Sequence, residues 1–374
     1  MSTRPGGEDA GLVTWAAIIG VTSLLLFLLQ QVLWLVVPFL LALILYHLLT
    51  PALSWLMYRG MRREAAAGLL MVGLLVVIAT VLALLLPWAT DHLVGWKAQA
   101  ERYVQGGLNL LGRTLRSLES SWDMLARARV ADKLGERFND FSEHAIDHVQ
   151  PVAAGLLGWL PSLLLAPFVL FFLLRDGGRF RRMLGSTVPN AFFERTLTLL
   201  HEVDRTTRAY FVGLVQLTVL DTITLALGLW WMGMPSPLAL GLLCAVLAWV
   251  PYVGSIVGGL LVVLVAATDF PEAPAMAYGA AALFGVVRLL DDFVYMPLTI
   301  GKSLHIHPLV TVTMIFVGGA VAGVTGLMLV LPLLGVVMVI GETVSRIVTD
   351  ERLIARWRHG RELRSQRARS DLTA

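Results

Sequence analysis

The chain has 374 residues, of which 57% are hydrophobic and 15% charged, and its formal net charge is +3. Soluble domains carry about 25% charged residues, so this composition excludes an ordinary soluble domain. It predicts an all-α polytopic membrane protein, with about six full transmembrane helices and two glycine-broken re-entrant hairpins. Cys244 is the single cysteine, which rules out an intrachain disulfide.

The first apolar stretch is 12–29. The polar residues before it lack the basic start and the small-residue cleavage site of a signal peptide, so it reads as a retained span. A second span, 32–49, follows Gln30 and Gln31 closely enough to form a helical hairpin. Arg59, Arg62 and Arg63 crowd the next short loop, and a third span covers 65–87. A fourth, 152–174, runs into a loop carrying Arg175, Arg179, Arg181 and Arg182. Short basic loops stay on the cytoplasmic side. That rule places both loops, the N-terminus and the Arg-rich tail 346–374 in the cytoplasm.

Between the third and fourth spans, Leu108, Leu111, Leu115, Leu118, Trp122 and Leu125 recur at helical spacing. Leu134, Phe138, Phe141, Ala145 and Val149 repeat the pattern, so 88–150 holds amphipathic helices outside the membrane. They pack on themselves or on a neighbouring subunit, lie on the membrane surface, or cover the pathway as a lid. Residues 178–207 predict a solvated linker helix, with Glu202, Asp204, Arg205 and Arg208 spaced for pairing.

The fifth span, 210–233, contains Asp221, and the crossing at 276–300 contains Arg288, Asp291 and Asp292. A charge at the centre of a membrane helix costs roughly 2.5 to 3.5 kcal/mol on insertion scales. Each of these groups therefore needs a partner, and Arg288 is spaced one helical turn before the two aspartates. All four are candidates for ion coupling. The segments around them resemble each other. Gly213 and Gln216 precede Asp221 much as Gly285 and Arg288 precede the acidic pair, and Pro237 and Pro308 each open a new apolar segment sixteen residues after an aspartate.

Those apolar segments, 238–267 and 308–341, are interrupted by glycine. If each enters and leaves on one side, the copies run in opposite directions, as in transporters built from inverted repeats. Irregular backbone at membrane depth is tolerated where protein or a water-filled cavity satisfies it. Pro251, Tyr252, Gly254, Gly258, Gly319, Gly323 and Gly326 are thus candidate pathway walls. The alternative is that these small residues only let helices pack closely. The expected organisation is a membrane scaffold at 1–87, extramembrane helices at 88–150, a span and linker at 151–207, a transport core at 208–345 and a basic tail at 346–374.

No phosphate-binding loop is present, so ATP coupling within the chain is not expected. His305 and His307 lack the further ligands of a metal site, and neither metal nor cofactor is expected. An aspartyl protease needs two carboxylates sharing a proton at close range. Arg288 argues instead for ion pairing, so no enzymatic activity is expected.

From VVPFLLALILYHLLTP at 36–51, through FFLLRDGGRF at 171–180, YFVGLVQ at 210–216 and VPYVGSIVGG at 250–259, the chain resembles the autoinducer-2 exporter family of bacterial permease-like proteins. The block 290–333 carries the resemblance furthest, with Asp291 and Asp292 before Pro297, then Gly301, Lys302, His307 and Pro308, and a glycine-rich run ending at Pro332. The resemblance implies a multi-pass protein of the bacterial inner membrane. It also implies a homo-oligomer, taken as a pentamer, that exports a small signalling solute. Gln216, Pro297, His307 and Pro308 join the pathway candidates. The expected mechanism is alternating access coupled to a proton or sodium gradient; a sodium/proton antiporter, a channel and a non-transporting scaffold are the alternatives.

Overall fold

The computed structural model describes residues 12–29, 33–93, 96–121, 164–186, 193–299 and 308–349. Every regular element among them is a helix. In chain order these are α1 (Leu12–Leu29), α2 (Leu33–Tyr58), α3 (Arg63–Leu93), α4 (Trp96–Ser121), α5 (Leu165–Ser186) and α6 (Phe193–Trp231). They are followed by α7 (Pro237–Leu247), α8 (Val253–Asp269), α9 (Pro274–Leu290), a π-helical turn (Asp291–Tyr295), α10 (Met296–Thr299) and α11 (Pro308–Thr349). Helices 38–58, 63–80 and 196–231 are long and apolar enough to cross a membrane, and 309–341 is so by length and composition, although its helix is interrupted.

Two expected boundaries shift. The basic run from Arg175 is not a loop, because α5 continues through it to Ser186. The apolar run ends there but the backbone hydrogen-bond ladder does not, since arginine is a good helix former. The linker helix and the fifth span are likewise one continuous helix, α6. The second amphipathic pattern, at 134–149, lies outside the described residues, as do most of 152–174 ahead of α5 and all of the tail beyond 349.

The chain forms two compact units, each assembled from segments distant in sequence: 1–68, 168–212 and 300–374 in the first, 69–167 and 213–299 in the second. In the second unit α8 packs against α4, α7 and α9. Leu229, Val262, Ala266, Ala277 and Ala280 form the centre of its apolar core. α6 stops just before this hairpin, where Gly233 takes φ +74 and Met234 N–H reaches back to the Leu229 carbonyl at 3.0 Å. This is the left-handed helix cap that glycine accommodates without penalty.

α7 and α8 are the limbs of the first predicted hairpin. Eleven and seventeen residues rise about 16 and 25 Å, less than the roughly 30 Å hydrocarbon core. The break between them runs from Ala248 to Tyr252, where Tyr252 adopts φ +61. Gly254 and Gly258 lie beyond the break, inside α8. Gly254 permits close approach, since a β-carbon there would fall 1.7 Å from the Leu247 carbonyl oxygen, whereas one at Gly258 would make ordinary contacts at 3.5 Å with Cys244 and Phe284.

In the first unit α11 packs against α1 and α2. It is a second hairpin, interrupted at Ala322 (φ −134) and Gly323 (φ 57). Residues 318 and 326 would be about 12 Å apart along a straight helix, yet a β-carbon on Gly318 would sit 2.8 Å from the Gly326 carbonyl oxygen. The chain therefore folds back on itself. Met314 and Ile315 share a core with Val330, Leu334 and Val337, closed from outside by Ile18 and Leu26 of α1.

Candidate functional site

Asp221 projects from the middle of α6, where only 6% of its surface is exposed. Along the same helix the hydroxyls of Thr218, Thr222 and Thr224 donate to the carbonyls of Leu214, Thr218 and Leu220 at 2.6 to 2.8 Å. Returning each hydroxyl to a carbonyl four residues earlier satisfies it inside an apolar environment. Asp221 has no such outlet. Its Oδ1 is buried without a hydrogen-bond partner.

The second half of the site is the π-helical turn that follows α9. Met296 N–H donates to the Asp291 carbonyl five residues earlier, which widens the helix locally. Such single-turn π segments recur at functional positions. Asp291 is 4% exposed and ion-paired with Arg288, while Asp292 is mostly exposed and lies 3.5 Å from the same guanidinium. Asp291 Oδ1 is again buried without a hydrogen-bond partner. The expected pairing of Arg288 with both aspartates is thus present.

Two polar contacts hold α6 in register with its neighbours. The Thr224 and Tyr295 hydroxyls are 2.8 Å apart, joining α6 to the π turn one helical turn from Asp221 and from Asp291. Trp249 Nε1, in the hairpin break, donates to Thr218 Oγ1 at 2.8 Å. Asp291, Arg288 and Asp292 are the charges that act on Asp221. Asp221, Asp291 and Asp292 set three carboxylates against the one Arg288 guanidinium, so the cluster carries surplus negative charge.

The family model for AI-2E family transporters matches residues 13–346. The chain belongs to this family. It is 25% identical over 315 residues to a Bacillus subtilis protein described as "Putative transport protein YueF", covering 83% of this chain and 84% of the relative. It is 28% identical over 323 residues to "Putative transport protein MT0215" of Mycobacterium tuberculosis, covering 82% of each. Family membership and the long apolar helices together make this a multi-pass membrane protein with a role in transport.

The other pathway candidates fall in several places. Gln216 is exposed on α6, and Tyr252 is exposed beside Pro251 at the tip of the first hairpin. Gly254 and Gly258 are buried in α8, and Pro297 is exposed in α10. Gly319, Gly323 and Gly326 belong to the second hairpin, where Gly323 forms the turn and the other two lie against the opposing limb. Pro308 opens α11, and His307 lies outside the described residues. Sequence reasoning missed Thr218, Thr224, Trp249 and Tyr295. Their signal was present as threonines three residues either side of Asp221 and a tyrosine one turn past Asp291. Among the described residues, no group of three or more His, Cys, Asp or Glu side chains is placed to hold a metal ion.

α4 covers the far end of the α8–α9 hairpin. Arg113 donates to the Pro271 carbonyl, and Thr114 and Tyr278 share a hydroxyl contact. Close approach is possible because Gly106 faces Thr268, where a β-carbon would lie 2.2 Å from the threonine hydroxyl. A cavity of about 540 Å³ opens here, with Arg102, Gln105, Asn109 and Arg113 on one wall and Phe270 and Pro271 on the other. Burial raises the Tyr103 hydroxyl above the ordinary tyrosine value of 10.0; the Asp269 charge adds to the rise and Arg102 opposes it.

Proposed function

We propose that this protein is a secondary transporter that exports a small polar solute resembling autoinducer-2, with movement coupled to a proton or sodium gradient at Asp221 and Asp291. The observation that carries this reading is the pair of buried carboxylate oxygens, one on each aspartate, that have no hydrogen-bond partner. An unsatisfied buried polar atom is costly, and a bound proton or sodium ion relieves that cost while neutralising the surplus charge. Asp292, more exposed, is the route by which the ion reaches the pair. The glycine-packed hairpin α7–α8, tied to α6 through Trp249 and Thr218, is the element that moves as the ion loads and unloads. The protein works in the bacterial inner membrane as a homo-oligomer, with both termini cytoplasmic.

Asparagine at 221 keeps the shape of aspartate but carries no charge and exchanges no proton. In proteoliposomes, Asp221→Asn is expected to catalyse exchange of labelled autoinducer-2 across the bilayer without a gradient while losing gradient-driven accumulation. Wild-type accumulation with unchanged pH dependence in this variant would sink the coupling assignment.

The surplus negative charge also favours a second reading, a sodium/proton antiporter in which the ion is itself the cargo. A sodium gradient that drives proton movement without any organic solute, and that Asp221→Asn abolishes, selects this reading over the first.

A further inference from the structure

The turn between α2 and α3 meets α5 at a cluster of arginines that the transport reading does not use. Arg63 Nε donates to the Leu174 carbonyl at 2.8 Å, with its guanidinium laid over Gly177 and Gly178. Arg179 engages both nearby carboxylates, Glu64 at 3.4 Å and Asp176 at 3.2 Å. Five arginines (59, 62, 63, 175 and 179) therefore stand against two acids, a surplus of three positive charges. The acids are already occupied by Arg179. Arg59 lies over the Trp55 ring at 3.9 Å, and Arg62 is exposed; neither forms an ion pair among the described residues.

The depth of this cluster is set by three apolar runs. That of α2 ends at Tyr58, that of α3 begins at Ala65, and that of α5 ends at Leu174. Arg63 on Leu174 and Arg179 on Glu64 hold the ends of α3 and α5 together, and the short turn 59–62 keeps the end of α2 beside them, at the level where hydrocarbon gives way to headgroups. Trp55 and Tyr58 are 52% and 91% exposed there, as interfacial aromatics are. Phe168 and Phe172, one to two turns into the apolar run of α5, are also exposed and offer surface to acyl chains.

We propose that this edge is a binding site for the phosphodiester headgroup of an anionic phospholipid, with Arg59 and Arg62 as its contacts. A guanidinium matches two phosphate oxygens at once, and Trp55 holds that of Arg59 in place by cation–π attraction. The adjoining apolar surface favours a lipid over free phosphate, because it takes up the chains that phosphate lacks. Arg63 is a positioning residue, fixing the turn on α5 through the Leu174 carbonyl. The site is independent of the ion-coupling assignment.

Native mass spectrometry of the full chain, released from micelles containing equal phosphatidylglycerol and phosphatidylcholine, tests this directly. Wild-type protein is expected to retain phosphatidylglycerol preferentially, and Arg59→Gln with Arg62→Gln to lose roughly tenfold in apparent affinity or more. Arg59→Lys with Arg62→Lys, which keeps the charge, is expected to restore at least half of the retained lipid if the double glutamine variant fails for lack of charge rather than of fold. Arg116→Gln, an exposed arginine on α4, is expected to change nothing. Equal retention of the two lipids by wild type, undiminished retention by the glutamine variant, or displacement of the lipid by millimolar inorganic phosphate overturns the proposal.

Discussion

The hydroxyl groups of Thr224 and Tyr295 lie 2.8 Å apart and join the helix that carries Asp221 to the π turn that carries Asp291. Seventy-one residues separate them in the chain. A partly buried hydrogen bond of this kind contributes about 1 kcal/mol, but its position matters more, because it sets the register of the two carboxylates. Tyr295→Phe is expected to lower stability in detergent by ~1 kcal/mol and to slow transport more than that loss explains. Unchanged flux in proteoliposomes, with the melt shifted as expected, would show that the contact does not govern the site.

Arg288 pairs with Asp291, a residue that is 4% exposed. Removing one member of such a pair leaves a buried charge uncompensated, at a cost of about 3–5 kcal/mol. Arg288→Ala is therefore expected to reduce the yield of folded protein sharply. Adding Asp291→Asn should recover the yield without recovering transport. Size-exclusion profiles and flux assays on both variants decide the matter, and a well-folded, fully active Arg288→Ala rules out the structural role.

The backbone of α8 approaches α7 too closely at residue 254 for any side chain, since a β-carbon there would meet the Leu247 carbonyl oxygen at 1.7 Å. Backbone atoms yield less readily than a side-chain end. Gly254→Ala is expected to open the hairpin and cost about 1–3 kcal/mol, the range typical of overpacking. Gly285→Ala, inside α9 where a β-carbon meets nothing within 4 Å, is the control and should melt no lower than wild type. Equal melting of the two variants contradicts the packing argument.

The proposed sidedness rests on the arginines after α2 and in α5. In a Cys244→Ala background, a cysteine at Tyr58, which is 91% exposed, is expected to react only with reagents supplied on the cytoplasmic side. A cysteine at the exposed Glu272 is expected to react from the outside. Labelling of both positions by an impermeant maleimide in intact cells would invert part of the topology.

Tyr103 supplies a pH test of the packing of α4. Its hydroxyl is harder to ionise in the packed state than in the unfolded chain, chiefly through burial. The linkage sign follows: the stability it contributes is fully present below the ordinary tyrosine value of 10.0 and is lost as pH rises through the raised folded value. Thermal melts of wild type and Tyr103→Phe at pH 8 to 11 are expected to diverge at the alkaline end, with the phenylalanine variant the less pH-sensitive. Parallel slopes would remove Tyr103 from the packing of α4.

Class, family and the placement of charge were legible in the residues alone. Apolar runs long enough to span hydrocarbon need no tertiary information to declare themselves, and an arginine one turn before two aspartates declares its own pairing through helical geometry. Glycine and proline likewise announced both broken hairpins. What the sequence could not assign was the job of each glycine: Gly323 makes a turn, whereas Gly254 and Gly326 permit close approach, and only the position of the opposing backbone distinguishes these tasks. Threonines on α6 meet a tyrosine in the π turn and a tryptophan in the hairpin break through contacts that no periodicity encodes, because a helix repeat specifies which face a residue occupies but not which helix lies opposite. The fate of Asp221 was decided in the same way. Its helix put it at membrane depth, and the packing of α6 left one of its oxygens without a partner.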